Sequence, residues 1–280
     1  MNSRKNIIVE GKHGKPILLD VYWKTTDERK PIVIFAHGFK GFKDWGSWEV
    51  IGKKIVEAGF VFLKFNFSHN GTTPENPLEF GDLEAFGQNN YSIELDDLGS
   101  VLDWLETQNT IPNTEIDIEK ISLIGHSRGG GVAIIKAYEE ERISCLVTWA
   151  SVATLDWMFK PKMVKTWQEK GVHTIVNGRT KQHMPLYFQL FEDFKANEKR
   201  FDTEKALRNL NKPHLIIQGT NDPAISVASA ELHQSWNEHA KLVLIDDADH
   251  VFGGSHPFTD SLLPLHTYQL VDETVEFLTT

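Results

Sequence analysis

Short apolar runs alternate with helical patterns along most of this chain, and the alternation limits the possible folds more than any other feature. The runs are almost continuously apolar, as expected for strands that are buried on both faces of a parallel sheet. They comprise residues 32–36, 60–65, 121–124, 145–150, 213–218 and 241–245. Helical patterns cover residues 48–58, 93–106, 228–239 and 265–278. We therefore predict an α/β fold with about eight strands, in a mostly parallel sheet flanked by helices and joined by right-handed crossovers.

Two segments depart from this alternation. Residues 6–10 and 17–24 flank a turn-forming segment, which predicts a β-hairpin at the edge of the sheet. Between residues 151 and 211 the pattern changes to aromatic-rich, charged helical segments, with a short β pattern at 174–176. Because this block follows the sixth strand and precedes the seventh, we predict a single domain over residues 1–280 with a helical cap insertion at 151–211. Two crossover helices and a surface loop would produce the same pattern.

A Gly-His-Ser-Arg-Gly sequence at residues 125–129 directly follows one apolar run and opens into a helical pattern. On a strand-to-helix turn, G-x-S-x-G predicts a nucleophile elbow, in which small neighbours let the backbone bend sharply and expose the serine hydroxyl. Ser127 is therefore the candidate nucleophile. The alternative is that Ser127 is only the N-cap of a glycine-rich helix.

A serine nucleophile needs a base and a third group that orients the base. Asp222 lies directly after the strand pattern 213–218, and His250 lies directly after the strand pattern 241–245. This order of Ser, Asp and His is the one in α/β-hydrolases, and parallel strands bring their carboxyl ends to one crevice. Taken singly, Asp222 could be a turn former before Pro223 and His250 could cap its loop. Three further carboxylates are weaker candidates for the partner of His250: Asp246, Asp247 and Asp249.

An acyl-transfer site also needs donors for the developing oxyanion. The amide after the nucleophile belongs to Arg128, and the loop after the third strand offers the amide of Phe39, preceded by Gly38, which permits a close turn. His37 in that loop is expected to orient the loop and not to act as a base. The Arg128 guanidinium could lie near the pocket and favour an anionic substrate, or it could be solvated.

Composition excludes several other classes of function. The formal net charge of −10 and the lack of a Lys/Arg-rich run argue against nucleic acid as a partner. Cys145 is the sole cysteine and lies in an apolar run, so an intramolecular disulfide is impossible and a cysteine nucleophile is improbable. His233 and His239 lack metal-site spacing, so we expect no metal or cofactor. No apolar stretch of membrane-spanning length occurs and no signal peptide is recognised, so a cytoplasmic location is the simplest interpretation, although a chain whose leader had been removed would look the same.

With these residues in place, the chain resembles serine esterases of the α/β-hydrolase superfamily. It is similar to capped bacterial cinnamoyl and feruloyl esterases and to dienelactone-hydrolase-like enzymes. The resemblance implies an α/β-hydrolase fold, a catalytic triad of Ser127, Asp222 and His250, and an oxyanion hole formed by the amides of Phe39 and Arg128. The implied activity is hydrolysis of a small-molecule carboxylic ester through an acyl-enzyme.

The resemblance leaves the substrate open. An acyl-thioesterase or a peptidase could use the same triad, and a non-catalytic binding protein is a more remote alternative. In the cap, Trp157, Phe159 and Tyr187 are candidate substrate-binding residues for an apolar or aromatic acyl group. Residues 66–71 differ from the Arg-Gly-x-Gly turn of many relatives, and Ser127 stands where dienelactone hydrolases proper have cysteine. The oligomeric state stays open.

Overall fold

The computed structural model describes residues 1–260 and 262–280, and in these ranges eight strands form one sheet and two further strands form a small separate sheet. The strands are β1 (Asn2–Val9), β2 (Ile17–Trp23), β3 (Lys30–Ala36), β4 (Val61–Asn66), β5 (Ile116–His126), β6 (Ile143–Trp149), β7 (Val172–Val176), β8 (His183–Tyr187), β9 (His214–Gly219) and β10 (Lys241–Ile245). The helices are α1 (Trp48–Glu57), α2 (Leu83–Gln88), α3 (Tyr91–Thr107), α4 (Arg128–Glu139), α5 (Pro161–Lys170), α6 (Gln189–Ala196), α7 (Thr203–Arg208), α8 (Val227–Trp236) and α9 (Leu265–Thr279).

The large sheet has the order β1-β2-β4-β3-β5-β6-β9-β10. The six strands β4, β3, β5, β6, β9 and β10 are parallel to one another, whereas β2 pairs antiparallel with β4 and β1 pairs antiparallel with β2. The predicted mostly parallel sheet and its hairpin at the edge are therefore confirmed. Parallel pairing brings the carboxyl ends of β5, β9 and β10 to the same edge.

The apolar character of the central strands follows from burial on both faces. In β3, Ile32 and Ile34 belong to the core on one face of the sheet, while Val33 and Phe35 belong to the core on the other face. Because side chains alternate along a strand, a strand packed on both faces needs apolar residues at successive positions. The same requirement explains the uninterrupted runs in the neighbouring strands.

The segment between β6 and β9 is more mixed than the sequence predicts. It contains the helices α5, α6 and α7, but β7 and β8 pair as an antiparallel hairpin between α5 and α6. Tyr187, which lies in one of the helical segments expected from the sequence, is instead the last residue of β8, and α6 begins at Gln189. The hairpin is held against α5, where the indole Nε1 of Trp167 donates to the carbonyl of Leu186 at 2.7 Å.

Two further features complete the fold. Helix α2 was not predicted; it begins at Leu83 and is capped by Asp82, whose side chain accepts a hydrogen bond from the amide of Ala85. Within residues 1–260 and 262–280, none of the helices combines the length and the apolar character needed to cross a bilayer.

Candidate active site

Ser127 lies on the sharp turn between β5 and α4, with φ of 57° and ψ of −122°. A positive φ is unfavourable for a serine, so the surrounding structure must enforce it. The amide of Ser127 donates to the Trp149 carbonyl at 2.9 Å, and the carbonyl of Ser127 accepts from the amides of Gly130 and Val152. The turn therefore has the geometry of a nucleophile elbow, in which the serine side chain is presented at the edge of the sheet.

Glycines flanking the serine allow this turn because other chain segments approach very closely. A Cβ at Gly125 would lie 2.6 Å from the Cα of Gly130, and a Cβ at Gly129 would lie 2.4 Å from the carbonyl oxygen of His37. Both distances are shorter than real Cβ contacts with backbone atoms. The small residues of the motif are thus explained by contact with the next turn of α4 and with the loop after β3.

One chain of hydrogen bonds joins Ser127, His250 and Asp222. The three residues follow the carboxyl ends of β5, β10 and β9, where the sequence analysis expects them. The hydroxyl Oγ of Ser127 lies 3.0 Å from Nε2 of His250, and Nδ1 of His250 lies 2.8 Å from Oδ2 of Asp222. An ionised carboxylate only accepts hydrogen bonds, so Nδ1 of His250 carries the proton and Nε2 is free to accept the serine proton. This arrangement is the geometry required of a nucleophile, a base and an orienting group.

Asp222 is held in place by donors on both of its oxygens. Oδ1 accepts from the backbone amides of Ala224 at 2.7 Å and Ile225 at 2.9 Å, and Oδ2 also accepts from Nε2 of Gln218 at 3.0 Å. Burial by itself would raise the pKa of Asp222, but the hydrogen bonds from His250 and from the two amides outweigh it and hold the pKa below its usual range. Asp222 therefore stays ionised at neutral pH.

The three aspartates in the loop of His250 make other contacts. Oδ1 of Asp249 accepts from the amides of Val251 at 3.1 Å and Gly253 at 2.8 Å, which closes the turn that carries His250. Asp246 and Asp247 are exposed. Among the described residues, none of these three carboxylates is hydrogen-bonded to His250.

His126, which directly precedes the nucleophile, contacts the candidate base. Its Nε2 lies 2.9 Å from the carbonyl oxygen of His250, so Nε2 carries the proton and donates it. The His126 ring packs between Trp48 and His250, with centroid distances of 5.2 and 4.9 Å. Burial, and secondarily the charge of His250, lowers the pKa of His126 to about 3, so this ring is neutral at physiological pH. The motif gave no signal for this contact, because the middle position of G-x-S-x-G is open to any residue.

The loop after β3 brings Gly38, which precedes Phe39, close to the candidate nucleophile. A Cβ at Gly38 would lie 2.8 Å from the Cβ of Ser127, so only glycine allows this approach. Arg128 is the first residue of α4, where amides have no partner within the helix. Within the described ranges, neither the amide of Phe39 nor that of Arg128 has an acceptor in the protein. The Arg128 amide directly follows Ser127 and the Phe39 amide directly follows Gly38, so both are candidate donors for an oxyanion hole.

The guanidinium of Arg128 lies in neither of the two predicted places. It is buried, with 2% of the residue exposed, and its Nε donates to Oε2 of Glu94 at 3.2 Å while Nη2 lies 3.0 Å from Oε1. It also stacks over the rings of Tyr91 and Phe39, at 4.6 and 5.3 Å from their centroids. Because Glu94 neutralises it, Arg128 does not serve as a free cation for a substrate, and its side chain instead supports Phe39.

A cavity of about 210 Å³ opens beside Ser127 and His250. The loop 37–41 forms one wall, and the rings of Trp45 and Trp48 contribute apolar surface. Asn177, from the tip of the β7–β8 hairpin, closes the other side. The insertion between β6 and β9 thus reaches the site through its hairpin, not through its helices.

The three aromatic residues proposed for substrate binding do not line this cavity. Phe159 packs inside the insertion against Phe194, at 5.0 Å between ring centroids, and the hydroxyl of Tyr187 donates to Glu84. Trp157 is 39% exposed and makes an edge contact with Phe39 at 6.1 Å. The core of the insertion needs Phe159 and the contact with α2 needs Tyr187, so of the three only Trp157 lies next to a residue of the cavity wall.

The remaining residues considered from the sequence have structural contacts. Nδ1 of His37 lies 2.9 Å from the carbonyl of Gly38, so His37 orients its loop as expected. Burial raises the pKa of Cys145 to about 12, so its thiol stays protonated at neutral pH. Among the residues that the structure describes, no cluster of three or more His, Cys, Asp or Glu side chains could hold a metal ion.

Known proteins share this architecture. No protein-family model matches the chain. An uncharacterized 31.7 kDa protein of Escherichia coli, from the traX-finO intergenic region, is 28% identical over 135 residues, which are 48% of this chain and 42% of that protein. The 2,6-dihydropseudooxynicotine hydrolase of Paenarthrobacter nicotinovorans is 24% identical, over 79% of this chain and 52% of that enzyme. The chain therefore spans about half the length of these curated relatives.

Among solved structures, Est1E from Butyrivibrio proteoclasticus with ferulic acid bound superposes with a TM-score of 0.72. The two chains are 17% identical, and the superposition covers 98% of each. The chain therefore has the α/β-hydrolase fold that the sequence predicts.

Proposed function

We propose that this protein is a serine hydrolase that cleaves carboxylic esters of small molecules through an acyl-enzyme. The observation that carries the proposal is the continuous hydrogen-bond chain from Asp222 through His250 to Ser127, with the serine held at positive φ beside two free amides. A buried structural serine would need neither the strained backbone nor a histidine whose second nitrogen is oriented by a carboxylate.

Each group has one role in the proposed reaction. Oγ of Ser127 attacks the ester carbonyl carbon while Nε2 of His250 accepts the hydroxyl proton, and Asp222 stabilises the imidazolium that forms. The amides of Phe39 and Arg128 donate to the carbonyl oxygen as it becomes negative. His250 then protonates the departing alcohol, which leaves the acyl group on Ser127.

Water completes the cycle. His250, neutral again, accepts a proton from a water molecule that attacks the acyl carbon, and the serine oxygen departs and recovers its proton from His250. The acid product is released and the resting hydrogen bonds reform. No other group is required, because the same imidazole accepts and returns one proton in each half of the reaction.

The relatives and the cavity both support ester chemistry on a small substrate. One curated relative is named a hydrolase, and ferulic acid occupies a protein of the same fold. The apolar wall formed by Phe39, Trp45 and Trp48 suits an acyl or alcohol group with apolar or aromatic character. Thioesters and amides could react by the same steps, so a substrate panel must include them.

The test is turnover of aryl esters, acyl-thioesters and amides by the native protein and by Ser127→Ala. We expect ester hydrolysis by the native protein and a loss in kcat on the order of 10⁴ to 10⁶ in the variant, because the covalent intermediate can no longer form. Ser144→Ala is a matched control, since the Ser144 hydroxyl only bonds the Ile121 carbonyl. A fluorophosphonate adduct mapped by mass spectrometry should fall on Ser127. Retention of a tenth of the activity by Ser127→Ala would refute the assignment.

A further inference from the structure

One wall of the cavity beside Ser127 carries a lysine. Lys40 lines the cavity, and no Asp or Glu does. The ammonium group of Lys40 lies 5.9 Å from the centroid of the Phe39 ring, and in the part of the chain that the structure describes it forms no ion pair. A positive charge in a cavity walled by aromatic rings is screened less than one on an open surface.

Asn177 adds a buried donor to the same cavity. Its Oδ1 accepts from the amides of Arg179 at 3.0 Å and Thr180 at 3.3 Å, which identifies the other amide atom as Nδ2. The protein partner of Nδ2 is the sulfur of Met184 at 3.8 Å, a weak acceptor. Asn177 is only 6% exposed, so its amide group retains donor capacity that water reaches poorly.

Three carboxylates near the site, Asp20, Asp44 and Glu94, are paired with cations other than Lys40. Asp44 pairs with Lys43 and Lys64, and these two lysines also hold the buried Asp20 at 2.9 and 3.0 Å. Glu94 pairs with Arg128, as described above. Asp222 stays ionised but is bonded to His250, so within the described ranges none of these acids forms an ion pair with Lys40.

The hairpin tip contributes a second cation at the rim. Arg179 is exposed, and its guanidinium carbon lies 6.0 Å from the centroid of the Phe42 ring. The tip is fixed by Gln182, whose Nε2 donates to the Phe80 carbonyl at 3.0 Å. Glu79, next to Phe80, is exposed and, within the described ranges, pairs with neither Lys40 nor Arg179. Arg179 therefore adds a cation to the hairpin tip whose Asn177 lines the cavity, although the whole chain has a formal net charge of −10.

We propose that the site acts on esters that carry a carboxylate in addition to the scissile ester group, and that Lys40 and Asn177 hold this carboxylate. The inference rests on the proposed function and names its substrate class. Lys40 supplies the charge, the amide of Asn177 supplies a directional donor, and Arg179 at the rim attracts the anion during approach.

The experiment compares two matched pairs of esters. Monomethyl adipate and dimethyl adipate place the carboxylate, or its methyl ester, on the acyl side. Para-acetoxybenzoate and its methyl ester place it on the alcohol side. The measured quantity is the ratio of kcat/KM for the anionic member to kcat/KM for the neutral member, at low and at high salt.

We expect one pair to favour its anionic member, with a ratio that falls as salt rises. Lys40→Gln should lower this ratio about fivefold, which corresponds to the upper range for a partly exposed ion pair, and Lys40→Arg should restore it. Lys205→Gln, which removes an equal charge from α7, should leave the ratio unchanged. The pair that responds identifies the side of the ester that carries the anion.

Two results overturn the inference. If esters are hydrolysed but neither ratio favours the anion or responds to Lys40→Gln, the substrate class is wrong while the proposed function stands. If no ester is hydrolysed, the proposed function fails, and binding of the adipate dianion is then followed by the fluorescence of Trp45 and Trp48. Preference for the dianion over dimethyl adipate that weakens in Lys40→Gln would support the anion site. No such preference would overturn it.

Discussion

Replacing Asp222 with Asn tests the orienting role of this carboxylate with almost no change in shape. An asparagine can place its carbonyl oxygen toward the amides of Ala224 and Ile225, which occupy the Oδ1 side at 2.7 and 2.9 Å. Its NH₂ group then faces Nδ1 of His250, which lies 2.8 Å from the Oδ2 position. This orientation gives up the hydrogen bond from Nε2 of Gln218, whereas the opposite one would give up both amide hydrogen bonds, each worth about 1 kcal/mol.

The first orientation therefore prevails, and it reverses the tautomer of His250. Nδ1 must accept from the asparagine, so the proton moves to Nε2, which can no longer accept the proton of Ser127. We expect kcat to fall by about 10⁴, or about 5.4 kcal/mol at 1.36 kcal/mol per factor of ten. KM for a small aryl ester should change little, because Asp222 does not line the cavity beside Ser127.

Steady-state hydrolysis of one aryl ester by four Asp→Asn variants decides the matter, with circular dichroism as the check on folding. The Asp249→Asn control removes a charge in the loop of His250 but keeps a side-chain oxygen that can accept from the amides of Val251 and Gly253, so it should reduce kcat less than tenfold. The remaining controls are Asp246→Asn and Asp247→Asn. Near-normal turnover in Asp222→Asn, together with collapse in any of the three controls, would refute the assignment of the orienting carboxylate.

Three further predictions concern the surroundings of the triad. His126→Gln should lower kcat less than His126→Phe, because glutamine can still donate to the His250 carbonyl. The apparent pKa in the pH profile of kcat/KM should shift only in His126→Phe. Gly38→Ala should reduce kcat on the order of 10² to 10³ by displacing an oxyanion donor, whereas Gly81→Ala, where the added Cβ meets nothing within 4 Å, should be silent. The urea concentration at the midpoint of unfolding should be lower at pH 5 than at pH 7, and equal midpoints would contradict this. Burial lowers several histidine pKa values to about 3 or about 4, so the unfolded chain takes up protons near its own pKa of about 6.5 while the folded chain does not. Asp97, whose pKa burial raises to about 8, has the opposite effect on stability, but it is one group against five histidines. The histidines are His37, His69, His126, His214 and His233.

The sheet could be predicted because its signal is local. The successive apolar residues of β3 fill both cores, so the run itself reveals a doubly covered strand. The positions of Asp222 and His250 followed from the same logic, since each lies directly after such a run. The order of strands in the sheet and the antiparallel pairing of β2 with β4 were not derivable in this way, because pairing partners are chosen by contacts between distant segments.

The pairing of β7 with β8 escaped prediction for a related reason, although residues 174–176 gave a short β pattern. Its strands are five residues each and only partly buried, and Pro185 interrupts the usual strand pattern in β8. What stabilises them is the packing of Met184 and Leu186 into the core beneath α5. A short strand of this kind has too weak an intrinsic preference to compete, in sequence, with the helical pattern that follows it.

Residues that shape the site beyond the triad depend on partners far away in the chain. The contact between His126 and the His250 carbonyl spans 124 positions, and the pair of Arg128 with Glu94 spans 34. In the sequence, Glu94 is an ordinary acid in the first turn of a helix, and nothing marks it as the counter-ion that removes Arg128 from the cavity. Once Arg128 is neutralised, Lys40 is the cation left in the cavity wall. The charge that a substrate meets is therefore set by which cations find acids elsewhere in the fold, and the motif around the nucleophile carries no information about it.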